Sequence, residues 1–242
     1  MRPEYRRDGA TAIVYDADRL DHADSAHFEP AYWAGRGALV GEAAGGRGTT
    51  LFVQQGAEQW ALRHYRRGGF AARLVTDRYL WLGLERTRAW REWHLMAELH
   101  RRGLPVPAPV AARVVREGVS YSADLITRRL PGVEQLTQRL QAQALPDRDW
   151  RRLGGMLRRF HDAGLDHADL NADNILLSAC NDFWLIDFDQ ARLRAPGRWR
   201  EGNLLRLERS LKKRQANSPQ FFWTGLNWSA LRAGYESPPA GG

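Results

Sequence analysis

The sequence holds one cysteine, Cys180, so no disulfide can form within the chain and a reducing compartment is the simpler expectation. Its apolar neighbourhood predicts core packing. No stretch approaches the roughly 20 apolar residues that span a bilayer, and Met1-Arg2-Pro3-Glu4-Tyr5-Arg6-Arg7 lacks the apolar run of a secretory signal. A protein that stays on the cytoplasmic side is therefore expected. There is no internal repeat or low-complexity tract, only a closing Ser237-Pro238-Pro239-Ala240-Gly241-Gly242 that reads as a frayed tail. No His/Cys spacing suits zinc, so His100 and His161 read as helix-face residues. No RNA-binding motif occurs either, which leaves nucleic acid without support as a partner.

What is present is a globular composition: 242 residues, 43% hydrophobic and 10% aromatic, enough to bury a core in one domain or in two lobes sharing a cleft. Against 28 Asp and Glu stand 36 Lys and Arg, a net charge of +8 that favours a polyanionic partner. Anionic lipid and a phosphorylated substrate both satisfy that demand.

The first half reads as strands and the second as helices, an α+β chain. Gly9 to Tyr15 is strand-like, Phe28 to Trp33 a short helix, and Ala38 to Val40 leads into the glycine-rich Gly41 to Gly48. Leu51 to Gln55 and Gln59 to Tyr65 flank Gly56-Ala57-Glu58 as a hairpin. Arg86 to Arg102 turns helical, with Ala89, Trp93, Met96 and His100 three or four apart, and Trp90, Trp93 and Trp150 expected in the core. Tyr121 to Leu130 is again a strand. Pro131-Gly132 then marks a boundary between residues 1–130, an antiparallel sheet with one helix, and 131–242, a compact and mainly helical part. In the second part Trp150, Leu153, Leu157 and Phe160 line one face of a helix that Gly164 can cap.

Chemistry concentrates in His167-Ala168-Asp169-Leu170-Asn171-Ala172-Asp173-Asn174-Ile175-Leu176, followed after a short hairpin by Leu185-Ile186-Asp187-Phe188-Asp189. The pair resembles the catalytic loop and metal-binding segment of the protein-kinase-like superfamily. Phosphoryl transfer explains the residue types: Asp169 orients the attacking hydroxyl and accepts its proton, while Asn174 and Asp187 offer an amide oxygen and a carboxylate for magnesium beside the phosphates of ATP. Asp and Asn also cap turns. Four residues at fixed spacing, however, arise by chance at about one in 10⁵ per start position if each type has a frequency of roughly 5%. His167 is expected to brace the loop through the backbone, since a cation beside the catalytic carboxylate would weaken it as a base.

Such a site also needs amides over the phosphates and a fixed cation. Gly45, Gly46, Arg47 and Gly48 can supply the first, glycine allowing close approach of the main chain. On the strand from Gln59 to Tyr65, Ala61 and Arg63 share one face and Trp60 and Leu62 the other. Kinases usually carry lysine there; Arg63 departs from that, but a guanidinium can hold phosphate oxygens in a bidentate fork. Its expected partner is Glu92, which falls on the apolar stripe with Ala89, Met96 and Leu99, whereas Glu98 shares a face with arginines and Glu85 precedes the helix.

The segments Gly46 to Thr50, Leu62 to Gly69, Gly103 to Pro107, His167 to Asn171, Leu185 to Asp189 and Asn203 to Leu211 resemble those of the 3-deoxy-D-manno-octulosonic acid (Kdo) kinases, a lipopolysaccharide kinase family of the protein-kinase-like superfamily. The likeness runs from about Phe28 to Arg214 and includes the arginine at 63. It implies a two-lobed kinase-like fold and magnesium-dependent transfer of the ATP γ-phosphate to the 4-hydroxyl of Kdo on the lipid A precursor. The implied setting is peripheral, on the cytoplasmic face of the inner membrane, with no obligatory protein partner. Heptose kinases and aminoglycoside phosphotransferases share the catalytic logic, and a catalytically dead fold binding anionic lipid is a further alternative. Leu204, Leu207 and Leu211, with Arg206, Arg209, Lys212, Lys213 and Arg214 around them and Phe221-Phe222-Trp223 following, read either as a face lying on an anionic membrane or as an ordinary helix with a solvated side.

Overall fold

The computed structural model describes residues 1–45, 48–65, 78–218 and 220–237, without the side chains of 44, 45 and 48. The chain divides into two compact units, Met1–Arg101 with Pro107–Leu130, and Arg102–Val106 with Pro131–Gly242. The α+β class is the one expected.

The first unit is built on an antiparallel sheet. Its strands are β1 (Pro3–Asp8), β2 (Thr11–Asp16), β3 (Leu39–Gly45), β4 (Gly48–Gln55), β5 (Glu58–His64), β6 (Tyr79–Leu80), β7 (Pro109–Glu117) and β8 (Ser120–Arg128), ordered β1-β2-β7-β8-β5-β4-β3 with β6 also beside β8. The β4–β5 hairpin forms where expected, with Gly56 at φ +56°, a conformation glycine adopts without a Cβ clash. Period-two alternation sends Trp60 and Leu62 into a core with Ile13, Phe28, Trp33, Val53, Val110 and Ile126. Trp33, on the short helix α1 (Pro30–Ala34), meets Trp60 edge-on at 6.0 Å and donates its indole N–H to the His27 carbonyl at 2.8 Å, so its burial strands no donor. Helix α2 (Arg88–Arg101) buries Ala89, Trp90, Glu92, Trp93, Met96 and Leu99 and packs against β7.

In the second unit β9 (Val133–Gln135), β11 (Ile175–Ser178) and β12 (Phe183–Leu185) form one small sheet, and β10 (Leu165–His167) with β13 (Ala191–Leu193) another. Around them lie α3 (Leu136–Ala142), α4 (Asp147–Asp162), α5 (Trp199–Asn217) and α6 (Gly225–Glu236). The expected stripe of α4 is buried, each of Trp150, Leu153, Leu157 and Phe160 being at most 1% exposed. Gly164 follows it at φ +84°. Helices α4 and α6 touch backbone to backbone: a Cβ on Gly154 would fall on the Leu231 carbonyl, and one on Gly234 on the Arg151 carbonyl.

One expectation is corrected, and of two open readings one is narrowed. Cys180 is exposed, because it lies in the turn between β11 and β12, where Asn181 takes φ +57° and the chain reverses at the surface. Leu204, Leu207 and Leu211 are fully buried, and Phe221 and Trp223 are buried too, so the apolar stripe of α5 packs inward. What α5 leaves outside is mainly charge: Arg206, Arg209, Lys212, Lys213 and Arg214 are exposed, with Leu205 beside them. Among the described residues no helix is long and apolar enough to cross a membrane.

Candidate active site

In the second unit, β10 delivers the chain to the loop that carries Asp169, Asn171 and Asn174. Asp166 on that strand is 4% exposed. Burial pushes its carboxyl up, but hydrogen bonds from Arg194 (3.0 Å), Asn203 (3.0 Å) and Arg192 (3.5 Å) outweigh this and hold it below its ordinary value. The Oδ1 of Asn203 in turn accepts the backbone N–H of His167 at 2.9 Å. A buried carboxylate and one amide of α5 thus fix the strand from which the loop departs.

Asn171 shapes the loop itself. Its Oδ1 accepts from the backbone N–H groups of Asp173 (2.9 Å) and Asn174 (3.2 Å), an N-cap for the single 3₁₀ turn Ala172–Asn174. Both Asn171 and Asn174 donate Nδ2 to the carbonyl of Asp169 at 3.0 Å. With its nitrogen committed there, the amide oxygen of Asn174 is the side-chain atom that could ligate a cation.

The segment from Leu185 to Asp189 is tied to this loop twice. The Ile186 N–H donates to the Asn174 carbonyl at 3.0 Å, and the Ile186 carbonyl accepts from Nε2 of His167 at 3.0 Å. His167 therefore braces the backbone, as its position in the sequence suggested. Burial holds its pKa below the ordinary value, so it stays a neutral donor. Asp187 follows at φ +63°, a left-handed conformation uncommon outside glycine, and Phe188 is buried against the His167 ring. Asp169, Asn174 and Asp187 are thus brought together by main-chain ties. An amide oxygen and a carboxylate are hard oxygen donors of the kind that suit magnesium.

Sequence reasoning overlooked two members of this neighbourhood. Asp173 accepts from Thr137 Oγ1 of α3 at 2.7 Å and from Arg214 Nη2 of α5 at 2.5 Å, which anchors the loop on both sides. Asp166 is the other. Their partners lie far along the chain, and no local pattern announces them.

In the first unit, Arg63 on β5 faces Thr50 of β4 and Leu125 of β8 in the sheet register. Its Nη2 donates to Glu92 Oε2 at 2.5 Å. Glu92 is 2% exposed, an inward-pointing acid tolerated because it is paired. Tyr65 joins them: its buried hydroxyl donates to the same Glu92 oxygen and accepts from Arg63 Nη2 at 2.9 Å, while the Arg63 guanidinium sits 4.8 Å from its ring centre. The two-residue period of the strand, Arg63 then Tyr65 on one face, is the signal that could have found it. Of the glycine-rich segment, Gly45 and Gly48 are register partners at the ends of β3 and β4, whereas Gly46 and Arg47 lie outside the described residues. Arg66 to Gly69, the end of the segment begun at Leu62, also lies outside them.

The likeness to known proteins extends over most of the chain. A family model described as "Lipopolysaccharide kinase (Kdo/WaaP) family" matches residues 30–235. A 3-deoxy-D-manno-octulosonic acid kinase of Xylella fastidiosa (strain 9a5c) is 49% identical over 211 residues, 87% of this chain and 83% of the relative. One of Xanthomonas campestris pv. campestris (strain B100) is 50% identical over 210 residues, 86% of this chain and 83% of its own length.

Proposed function

The chain belongs to the lipopolysaccharide kinase (Kdo/WaaP) family, and from that premise we propose that it transfers the γ-phosphate of ATP to the 4-hydroxyl of a Kdo residue on the lipid A precursor. The observation that carries this reading is the near-50% identity to proteins named Kdo kinases across more than four fifths of the chain, a stretch that includes the whole catalytic loop. In this reading Asp169 orients the acceptor hydroxyl and takes its proton as the oxygen attacks. Its main chain is held for that task by the amides of Asn171 and Asn174.

Asn174 and Asp187 would hold magnesium through their side-chain oxygens. When bound, the ion neutralises charge on the phosphate oxygens. Arg63 grips the phosphates, and Glu92 fixes Arg63. Gly45, Gly46, Arg47 and Gly48 supply the backbone over the nucleotide. Met1–Arg101 with Pro107–Leu130 then acts as the nucleotide-holding lobe, and the unit that carries Asp169 as the chemical one.

The acceptor is anchored in a bilayer, which places the enzyme peripherally on the cytoplasmic face of the inner membrane. The exposed charges of α5 support that setting, with salt-sensitive attraction to anionic lipid in place of an inserted apolar stripe.

Incubation with labelled ATP and separate Kdo-lipid, heptose-core and aminoglycoside acceptors tests the assignment. Label is expected on the Kdo-lipid, and Asp169→Asn should lower turnover by about 10²- to 10⁴-fold with nucleotide binding little changed. Label on another acceptor would replace the substrate, and near wild-type turnover of the variant would remove Asp169 from its role.

A further inference from the structure

We propose that Tyr65 is a positioning residue for the phosphate-binding cation, fixing the plane of the Arg63 guanidinium through a hydroxyl shared with Glu92. The proposal rests on the reading of Arg63 as that cation.

Arg63 stands where kinases usually carry lysine. An ammonium is a compact point charge, and one carboxylate is enough to place it. A guanidinium is a planar fork whose use depends on the direction of its plane as well as on its position. A contact to a single carboxylate oxygen constrains such a plane only weakly, and here the Tyr65 hydroxyl adds to it. Arg63 Nη2 touches both Glu92 Oε2 at 2.5 Å and Tyr65 Oη at 2.9 Å, and Tyr65 Oη closes the triangle onto the same Glu92 oxygen.

The ring also borders the guanidinium. Arg63 Cζ lies 4.8 Å from its centre, within cation–π range. Tyr65 itself cannot drift. Its N–H continues the sheet by donating to the Ala123 carbonyl at 3.0 Å, its side chain is buried, and the Arg88 guanidinium lies 5.9 Å from its ring centre. Burial first, then the Glu92 carboxylate, raises its pKa well above the ordinary tyrosine value, so the hydroxyl remains a donor at any working pH.

The test uses the full chain, titrating a non-hydrolysable ATP analogue with magnesium by calorimetry and measuring KM for ATP and for the Kdo-lipid acceptor. Tyr65→Phe keeps the ring and removes the hydroxyl. It is expected to raise the analogue Kd and the KM for ATP about tenfold, the scale of one hydrogen bond to a charged group, with the acceptor KM unchanged. In an Arg63→Lys background the same change should have little further effect, because an ammonium has no plane to fix.

Unchanged affinity in Tyr65→Phe, alongside a clear loss in Arg63→Ala, would overturn the proposal and leave the cation in place. Equal losses in the wild-type and Arg63→Lys backgrounds would overturn it as well, since packing alone behaves that way. Wild-type affinity in Arg63→Ala would remove the cation role and the proposal together.

Discussion

His161 shows how one buried side chain sets a pH limit on the fold. It lies on α4 with Nδ1 2.7 Å from Tyr235 Oη and the Trp199 ring edge-on at 5.2 Å, and burial, aided by the nearby Arg200 charge, lowers its pKa to about 4. Unfolded, the same histidine titrates near 6.5. Between these values the unfolded chain binds the extra proton, so stability rises with pH; the contribution is complete above about 6.5 and is lost as pH falls towards 4. It amounts to roughly 3 kcal/mol. Urea denaturation at pH 7 and pH 4.5 should show a large drop for the wild type and a shallower one for His161→Gln. At this scale the sequence was readable wherever a residue broke its local pattern. Glu92 stood out as an acid on an apolar stripe, and Asp169, Asn174 and Asp187 by their spacing. Tyr65 did not, because an aromatic at the end of a strand looks like core. Asp166 and Asp173 were invisible, since Asn203 and Arg214 join them from 37 and 41 residues away.

Helix α6 is held to α4 by the absence of side chains. With Gly154 and Gly234 each against a carbonyl of the opposite helix, a methyl group has nowhere to go without moving backbone. Gly154→Ala should therefore destabilise the protein by about 2 kcal/mol or more, although alanine is the better helix former. Gly155→Ala is the control, its Cβ meeting the Gly234 carbonyl at an ordinary 3.8 Å, and should be neutral or stabilising in the same thermal melts. This packing also explains which elements were legible. Helix α4 and the β4–β5 hairpin have apolar periodicity and turn residues that point to one answer. Helix α6 buries only Ala230 and Leu231 completely enough to count, too narrow a stripe to read. Strand β1, with the polar sequence Pro-Glu-Tyr-Arg-Arg-Asp, is an exposed edge held by its ladder to β2, and a ladder leaves no trace in side-chain pattern. The leucines of α5 have a helical period, which is common to a face on lipid and a face on protein; only the fold decides between them.

For the whole molecule, the net charge of +8 was legible but its distribution was not. Basic residues near an anionic surface contribute on the order of 1 kcal/mol each, within a Debye length of roughly 8 Å at physiological salt. Sedimentation with anionic vesicles should therefore weaken markedly as salt rises. Arg206→Glu with Arg209→Glu should weaken it further while leaving phosphorylation of a short soluble Kdo acceptor nearly intact; equal loss of both would assign the pair to the fold. Arg214 is unsuitable for that experiment because it holds Asp173. The segment Arg102–Val106 bears on how the molecule is made. It belongs to the second unit, where the Gly103 carbonyl receives Arg159 and the Pro105 carbonyl receives the N–H of Leu185, yet it precedes the last hairpin of the first unit in the chain. During synthesis it leaves the ribosome long before either partner exists, so its carbonyls must wait for Arg159 and then for Leu185 to emerge. A gene cut at Pro131 would separate the second unit from a piece of itself.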